Sequence, residues 1–358
     1  MPQPTREAII EALRGVQDPE LHKDVVSLGM VKLASLSDGA LTLLVTLTTP
    51  ACPLRETIER DIRQALAPFG LRDVQLRFDS KVPAGRAVAE KAAPPGVKNL
   101  IAVASGKGGV GKTTVAVNLA IALSRLGSAV GLLDADVYGP NVPVMLGSTE
   151  QPEALDERNI LPVEAYGVKM ISMGLLNPGD RPLIWRGPML HSVIQQFLRS
   201  VRWGELDYLV IDLPPGTGDV ALSLVQSVPL TGAVIVTTPS AVALADVRKS
   251  VEMFRQVNVE ILGVVENMSY LLCPHCSKRV DIFGYGEGRR MAEAFGVPFL
   301  GEIEIEPEIR VGGDSGKPVT AFGEEFRGAR SLYAVARQVA ARVSVLNLGQ
   351  QAPVVEIL

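Results

Sequence analysis

A glycine-rich segment at residues 106–113 has the spacing of a phosphate-binding loop. Its letters, GKGGVGKT, satisfy G-x-x-x-x-G-K-[ST], with an apolar run before them and a helical pattern after them. Glycines let consecutive backbone N–H groups approach phosphate oxygens without steric conflict, and the positive end of the following helix attracts the anion. In this pattern the Lys112 ammonium neutralises the β- and γ-phosphates, and the Thr113 hydroxyl ligates Mg²⁺. The predicted nucleotide-binding residues are Gly106, Lys107, Gly108, Gly109, Val110, Gly111, Lys112, Thr113 and Thr114.

Aspartates end two of the apolar runs that follow. LLDAD contains Asp134 and Asp136, and LVID ends in Asp212, before a Pro/Gly-rich segment. Side chains at the carboxyl ends of parallel strands face the ligand crevice of an open α/β sheet. We therefore expect Asp212 to hold Mg²⁺ through water, and Asp136, with Asp134 nearby, to position or activate the attacking water. An aspartate after a strand is also commonly a helix cap, but the neighbouring phosphate loop favours the catalytic interpretation.

Cys273 and Cys276 form a C-x-x-C pair with a proline and a histidine between them. The letters fit a thiol–disulfide site, although the surrounding sequence lacks a βαβ pattern of that kind. They also fit a zinc ion shared across a dimer, with His275 as a further ligand. A buried pair without function is disfavoured because the adjacent proline and histidine indicate an exposed turn. The preferred interpretation is an iron–sulfur cluster, which usually requires four thiolates, because two chains related by a two-fold axis supply that number.

The elements that must position these residues alternate between short apolar runs and helical patterns. From Leu100 onward, near-continuous apolar strands between helices predict an α/β fold. In such a fold the sheet is mainly parallel and is covered by helices on both faces. The predicted strands cover residues 100–104, 129–133, 168–171, 208–211, 233–237 and 261–266.

The sequence pattern of residues 1–80 predicts a separate, small α/β domain. Thr5 is expected to cap a helix that reaches Leu13, and Ser37-Asp38-Gly39 is expected to join two strands in a hairpin. The other predicted elements are strands at 31–35, 41–48 and 74–78 and a helix at 53–66. Residues 81–99 form an Ala/Pro/Gly-rich linker, residues 100–345 the nucleotide-binding domain, and residues 346–358 a loose tail.

Composition excludes several classes of function. The 358 residues include 35 basic and 39 acidic side chains, giving a net charge of −4, which argues against an extended nucleic-acid surface. The N-terminus lacks the pattern of a signal peptide, and prolines and a glycine interrupt the uncharged window 220–245, which favours a buried strand with flanking turns over a membrane span. Three cysteines cannot form a disulfide framework. We expect a cytoplasmic protein that binds neither nucleic acid nor membrane.

Six segments together resemble the Mrp/ApbC family of P-loop ATPases, which are iron–sulfur cluster carriers or scaffolds. They cover about residues 97–345 and are GKGGVGKTT, LLDADVYGPNVPVMLG, RGPML, DYLVIDLPPGTGD, ENMSYLLCPHC and IFGYGEG. The second lysine of the loop, Lys107, resembles the deviant Walker A lysine of the ParA/MinD/nitrogenase-iron-protein class. In that class it reaches the nucleotide of the facing subunit, which implies that Lys107 acts in trans. The same class implies that Asn267 reads adenine.

The first 80 residues resemble the small domain of iron–sulfur assembly factors. The matching segments are DPE at 18–20, VSLGM at 26–30 and TTPACP at 48–53. The last of these places Cys52 in an exposed loop before a helix, where it is either an ordinary small buried residue or a residue with a role in transfer.

The resemblance implies a homodimeric protein that binds ATP and hydrolyses it slowly. The dimer would hold a labile cluster at its interface, [4Fe–4S] being preferred, and hand it to apo-proteins. A ParA/MinD-type positioning ATPase that binds DNA or membrane is the alternative, and a zinc-clipped dimer without cluster transfer is a third class.

Overall fold

The computed structural model describes residues 4–37, 39–85, 93–137, 139–156, 158–176 and 187–349. The chain divides into two compact units. The smaller unit comprises residues 1–83 and 340–358, and the larger unit comprises residues 84–339.

The smaller unit contains a three-stranded sheet, two helices before residue 83, and the last turns of a further helix at residues 340–349. Strand β4 lies in the middle, antiparallel to β3 and parallel to β5, so the chain needs the crossover helix α2 between β4 and β5. The Thr5 hydroxyl accepts a hydrogen bond from the Ala8 N–H at 3.2 Å, which confirms the predicted helix cap. Alternate residues of β4 are buried against Ile58 and Ile62 of α2. The elements are α1 (Arg6–Leu13), β1 (Gln17–Asp18), β2 (Lys23–Asp24), β3 (Val31–Ser37), β4 (Ala40–Leu47), α2 (Arg55–Leu66) and β5 (Asp73–Ser80).

The larger unit is built on an eight-stranded sheet with the order β15-β12-β11-β6-β10-β7-β9-β8. Every neighbouring pair is parallel except β8–β9 at one edge. The six central strands are buried along almost their whole length, as their apolar sequences predict. The strands are β6 (Leu100–Ala104), β7 (Val130–Asp134), β8 (Val163–Ala165), β9 (Val168–Ser172), β10 (Tyr208–Asp212), β11 (Gly232–Thr237), β12 (Ile261–Glu266) and β15 (Phe299–Glu302). A separate two-stranded ribbon comprises β13 (Leu271–Leu272) and β14 (Arg279–Val280).

Helices cover this sheet on both faces and connect its strands. They are α3 (Lys112–Arg125), α4 (Val142–Met145), α5 (Met173–Leu176), α6 (Gly187–Ser200), α7 (Asp219–Ser227), α8 (Ala241–Gln256), α9 (Glu287–Phe295) and α10 (Pro307–Asp314). The last helix, α11 (Ala329–Gly349), follows the final strand and has residues in both units. After β6 the chain runs to β7 on one side, whereas β11 lies on the other. The carboxyl end of β6 is therefore a point at which strand order reverses, where open α/β sheets bind ligands.

The structure confirms the predicted α/β fold and its six strands, and it differs from the expectations at the flanks of one strand and in the tail. The window 220–245 contains β11, but its flanks are helices α7 and α8 rather than turns. Helix α11 continues to Gly349, so the first residues of the expected tail are helical. In the expected hairpin turn, Asp38 lies outside the described residues. Among the helices described, none is long and apolar enough to span a membrane.

Candidate functional site

The predicted phosphate loop connects the carboxyl end of β6 to the first turn of α3. Gly109 and Gly111 both have a φ of +80°, a left-handed conformation that would strain any residue with a side chain. Gly106 lies against the backbone of Asp246 in α8, and a Cβ at this position would overlap that backbone. Glycine is therefore required here for backbone conformation and for space.

Three predicted residues meet beneath the loop. The Lys112 ammonium lies 2.6 Å from one carboxylate oxygen of Asp212, and the Thr113 hydroxyl donates to the other at 2.7 Å. Asp212 has no exposed surface and Lys112 is only 6% exposed, so this is a buried ion pair. Burial raises the pKa of the Asp212 carboxyl, and the Lys112 ammonium and Thr113 hydroxyl oppose that rise. The adjacent hydroxyl and carboxylate oxygens are the donors that Mg²⁺ prefers.

The two aspartates after β7 have different environments. Asp134 is register partner to Asp212 and is buried, and it accepts hydrogen bonds from the Ser172 hydroxyl at 2.9 Å and the Asp136 backbone N–H at 3.1 Å. Burial, followed by the nearby charge of Asp212, raises the pKa of Asp134 to about 8. Asp136 instead lines the cavity next to the loop, where a carboxylate can reach a bound water.

That cavity has a volume of about 590 Å³, which lies in the range of nucleotide-sized ligands. Its walls combine the phosphate loop with elements that the sequence did not associate with it, namely α4, α10 and the segment after β15. Lys107 is half-buried and lies outside the lining. The lining residues are Ser105, Gly108, Gly109, Gly111, Lys112, Thr113, Thr114, Asp136, Asn141, Val144, Met145, Pro215, Asn267, Met268, Glu304, Ile305, Glu306, Ile309, Arg310, Gly313 and Asp314.

Asn267 follows β12 and reaches the phosphate loop from the side. Its side-chain amide donates to the Val110 carbonyl at 2.8 Å, and its backbone N–H donates to the Thr237 carbonyl at 2.8 Å. The preceding residue, Glu266, is fully buried and accepts from the Ser269 hydroxyl at 2.7 Å. Asn267 is therefore both part of the cavity wall and a brace for the loop.

The cysteine pair lies on the turn of the β13–β14 ribbon, which we call the cysteine hairpin (residues 271–280). The Cys273 N–H donates to the Lys278 carbonyl at 2.9 Å, and the Ser277 N–H donates to the Cys273 carbonyl at 2.8 Å. Cys276 is exposed and Cys273 partly so. The backbone N–H groups of His275 and Cys276 lower the pKa of the Cys273 thiol, which favours the thiolate that binds metals.

The cysteine hairpin contains two thiols, and exposed apolar side chains lie near them in the sequence. Within the described part of the chain, no three His, Cys, Asp or Glu side chains are grouped so as to hold a metal ion. The cysteines of one chain therefore supply two ligands. Several large apolar side chains nearby are more than two-fifths exposed, namely Leu272, Val280, Ile282, Phe283 and Tyr285.

Cys52 belongs to the smaller unit and has the opposite environment. It lies just before α2, half-buried against the core of that unit rather than in the exposed position expected. Burial raises the pKa of its thiol to about 11, and the nearby Glu20 and Asp18 add to the rise. The neutral thiol is therefore favoured at physiological pH.

The parallel sheet and the strand–loop–helix around Lys112 define a P-loop NTPase. Residues 96–340 match the family described as NUBPL iron-transfer P-loop NTPase, and residues 6–75 match the family described as iron-sulfur cluster assembly protein. The chain belongs to the NUBPL iron-transfer P-loop NTPase family, which confirms the resemblance seen in its motifs.

Relatives of known name match over nearly the full length. The iron-sulfur cluster carrier protein of Deinococcus radiodurans is 53% identical over 346 residues, which cover 96% of this chain and 97% of the relative. The protein of the same name from Synechocystis sp. is 47% identical, with 96% and 99% covered.

Solved structures match about two thirds of the chain. The nucleotide-binding protein of Archaeoglobus fulgidus in complex with ADP is 39% identical with a TM-score of 0.56, covering 62% of this chain and 87% of that one. The cell division ATPase MinD of Pyrococcus furiosus is 26% identical with a TM-score of 0.52, covering 67% and 98%.

Proposed function

We propose that this chain binds and hydrolyses ATP and carries a labile iron–sulfur cluster, which a pair of identical chains delivers to apo-proteins. The observation that carries the proposal is the exposed cysteine hairpin on the unit that also holds the phosphate loop. The relatives named as iron-sulfur cluster carriers match both units of the chain, which supports the same function.

The nucleotide site supplies the ATPase part. Backbone N–H groups of the loop bind the phosphates, and the Lys112 ammonium neutralises the charge of the β- and γ-phosphates. Thr113 and Asp212, whose oxygens already lie 2.7 Å apart, would hold Mg²⁺, which neutralises the phosphate charge that develops during transfer. Asp136 orients the attacking water from the cavity wall, and Asn267 contacts the adenine.

Lys107 has a role only in a pair of chains. It lies outside the lining of the cavity in its own chain, so we assign it to the nucleotide of the facing chain, where it supplies positive charge to the transition state. In such an arrangement hydrolysis requires a dimer, and slow turnover of the isolated chain is the expected result.

The cysteine hairpin supplies the cargo site. Each chain contributes the thiolates of Cys273 and Cys276, and a two-fold axis through the cluster gives the four ligands that a [4Fe–4S] cluster requires. The exposure of the hairpin suits a cargo that must leave. The alternative function, a positioning ATPase of the ParA/MinD type, does not explain the two thiols of the hairpin. The odd number of cysteines supports a reducing compartment, and we place the protein in the cytoplasm.

The test of this function is a transfer assay. The protein is loaded anaerobically with iron and sulfide, desalted and mixed with an apo-enzyme that needs a [4Fe–4S] cluster for activity. We expect the acceptor to regain activity, and the Cys273→Ser and Cys276→Ser variants to transfer nothing, while Cys52→Ser serves as the matched control. Equal transfer by all three variants would contradict the proposal, as would bound zinc without iron or sulfide in anaerobically purified protein.

A further inference from the structure

The side chain of Arg279 joins the cysteine hairpin to the rest of the larger unit. Arg279 lies opposite Leu272 in the ribbon. Its guanidinium carbon lies 4.2 Å from the centre of the Tyr270 ring and 4.8 Å from that of Tyr285. Its nitrogens pair with Asp281 at 2.7 Å and with Glu302 at 2.9 Å. One planar cation is therefore held by two rings and two carboxylates.

Two of these partners belong to segments that reach the nucleotide cavity. Tyr270 is three residues beyond Asn267, which lines the cavity and holds the Val110 carbonyl of the loop. Glu302 ends β15, and the chain then enters the cavity wall at residues 304–306. These two segments of the cavity wall therefore lead to the Arg279 side chain.

Backbone hydrogen bonds tie those two segments to each other. The Ile303 N–H donates to the Glu266 carbonyl at 2.9 Å, and the Ser269 N–H donates to the Ile303 carbonyl at 2.9 Å. The Ile305 N–H donates to the Tyr270 carbonyl at 2.6 Å. The two segments are therefore hydrogen-bonded to each other along the path from the cavity to the hairpin.

We propose that Arg279 is a positioning residue that couples occupancy of the nucleotide cavity to the position of the Cys273–Cys276 hairpin. The meaning of this coupling, control of cluster binding by ATP, rests on the proposed function. The coupling itself can be measured without a cluster, because it concerns only the hairpin thiols and the bound nucleotide. Lysine cannot replace arginine here, because a point charge cannot stack on two rings and pair with two carboxylates at once.

The test measures thiol reactivity in the cluster-free full chain. Alkylation by iodoacetamide is followed by mass spectrometry for the Cys273/Cys276 peptide, with the Cys52 peptide as internal reference, with and without ATP and Mg²⁺. We expect ATP to change the alkylation rate of the hairpin at least threefold in the wild type. In Arg279→Gln and Arg279→Lys the two rates should agree within about 1.5-fold, while a fluorescent ATP analogue still binds with an affinity within about threefold of wild type, because the coupling is reciprocal.

Two further variants make the result specific. Arg330→Gln, which removes an exposed ion pair to Glu325 elsewhere in the unit, should keep the wild-type response. Glu302→Gln should lose most of it and replaces Arg279→Gln if that variant fails to fold. A wild-type response that survives in Arg279→Gln or Glu302→Gln overturns the inference, as does a wild type without any response. A further outcome is that the alkylation rates change with ATP as expected while neither the wild type nor any variant binds iron and sulfide. In that case the coupling holds and the proposed cargo is wrong.

Discussion

Replacement of Lys112 by alanine tests the buried ion pair at the centre of the site. Lys112→Ala leaves the Asp212 carboxylate fully buried without its cation. Removal of one partner of a buried ion pair costs about 3–5 kcal/mol. Because the Thr113 hydroxyl still donates to Asp212, we take the lower end, about 3 kcal/mol. This equals a roughly 140-fold change in the unfolding equilibrium. ATP hydrolysis should be lost as well.

The assay is urea unfolding followed by tryptophan fluorescence. Both tryptophans, Trp185 and Trp203, belong to residues 84–339, so the signal reports the larger unit. With a slope of about 3 kcal/mol per molar urea, the midpoint of Lys112→Ala should fall by about 1 M. Adding Asp212→Asn removes the unpaired charge, so the double variant should be about 2 kcal/mol more stable than the sum of the two single losses.

The pH dependence of the stability of Lys112→Ala is a second, independent test of the buried ion pair. In Lys112→Ala, burial raises the pKa of the Asp212 carboxyl above its unfolded value without opposition from a cation. The folded state then binds the proton more tightly, so the stability of the variant falls as the pH rises above the unfolded pKa. The deficit relative to wild type should be smaller at pH 5 than at pH 8. A loss below about 1 kcal/mol, or additive losses in the double variant, would refute the reasoning.

Three further predictions concern other parts of the chain. The raised pKa of Asp134, about 8, means that wild-type stability falls as the pH rises from about 4 towards 8, and the isosteric Asp134→Asn variant should show a flatter urea midpoint over this range. Gly106→Ala should lower the melting temperature and abolish nucleotide binding because its Cβ overlaps backbone, whereas Gly108→Ala, which has open space, should melt like wild type; equal melting temperatures would contradict this. Cys273, with a lowered pKa, should be alkylated faster at pH 8 than Cys52, whose pKa is raised to about 11, and the reverse order would be inconsistent with the burial of Cys52.

The central strands and the phosphate loop were predictable because local sequence determines them. Strands β6 and β12 have the bounds predicted from their continuous apolar runs. The glycine-rich motif of the loop likewise determines locally the run of backbone N–H groups that binds phosphate. Strand β15 was not predicted, because its four residues, FLGE, contain only two large apolar side chains, and so short a segment between two helical patterns is ambiguous without knowledge of its neighbours.

The rest of the site depends on contacts between residues far apart in the chain. The bond from Ser172 to Asp134 requires the pairing of β9 with β7, which no local pattern encodes. Helices α4 and α10 join the cavity through tertiary packing, and their short sequences contain no ligand motif. The Arg279 contacts to Tyr270 and Glu302 follow from the fold of the hairpin onto the edge of the sheet. The sequence alone does show that aromatic and acidic residues lie close to Arg279 and the cysteine pair, and this local composition could have indicated that the arginine has a structural role there.

The most direct test of the account is the metal content and mass of anaerobically loaded protein. Wild type and Cys52→Ser should hold about four iron and four sulfide per pair of chains and sediment as a dimer. Cys273→Ser and Cys276→Ser should be colourless after desalting. A full cluster in either hairpin variant, or iron and sulfide bound to a chain that remains monomeric, would contradict the claim that two chains share one cluster through these thiolates.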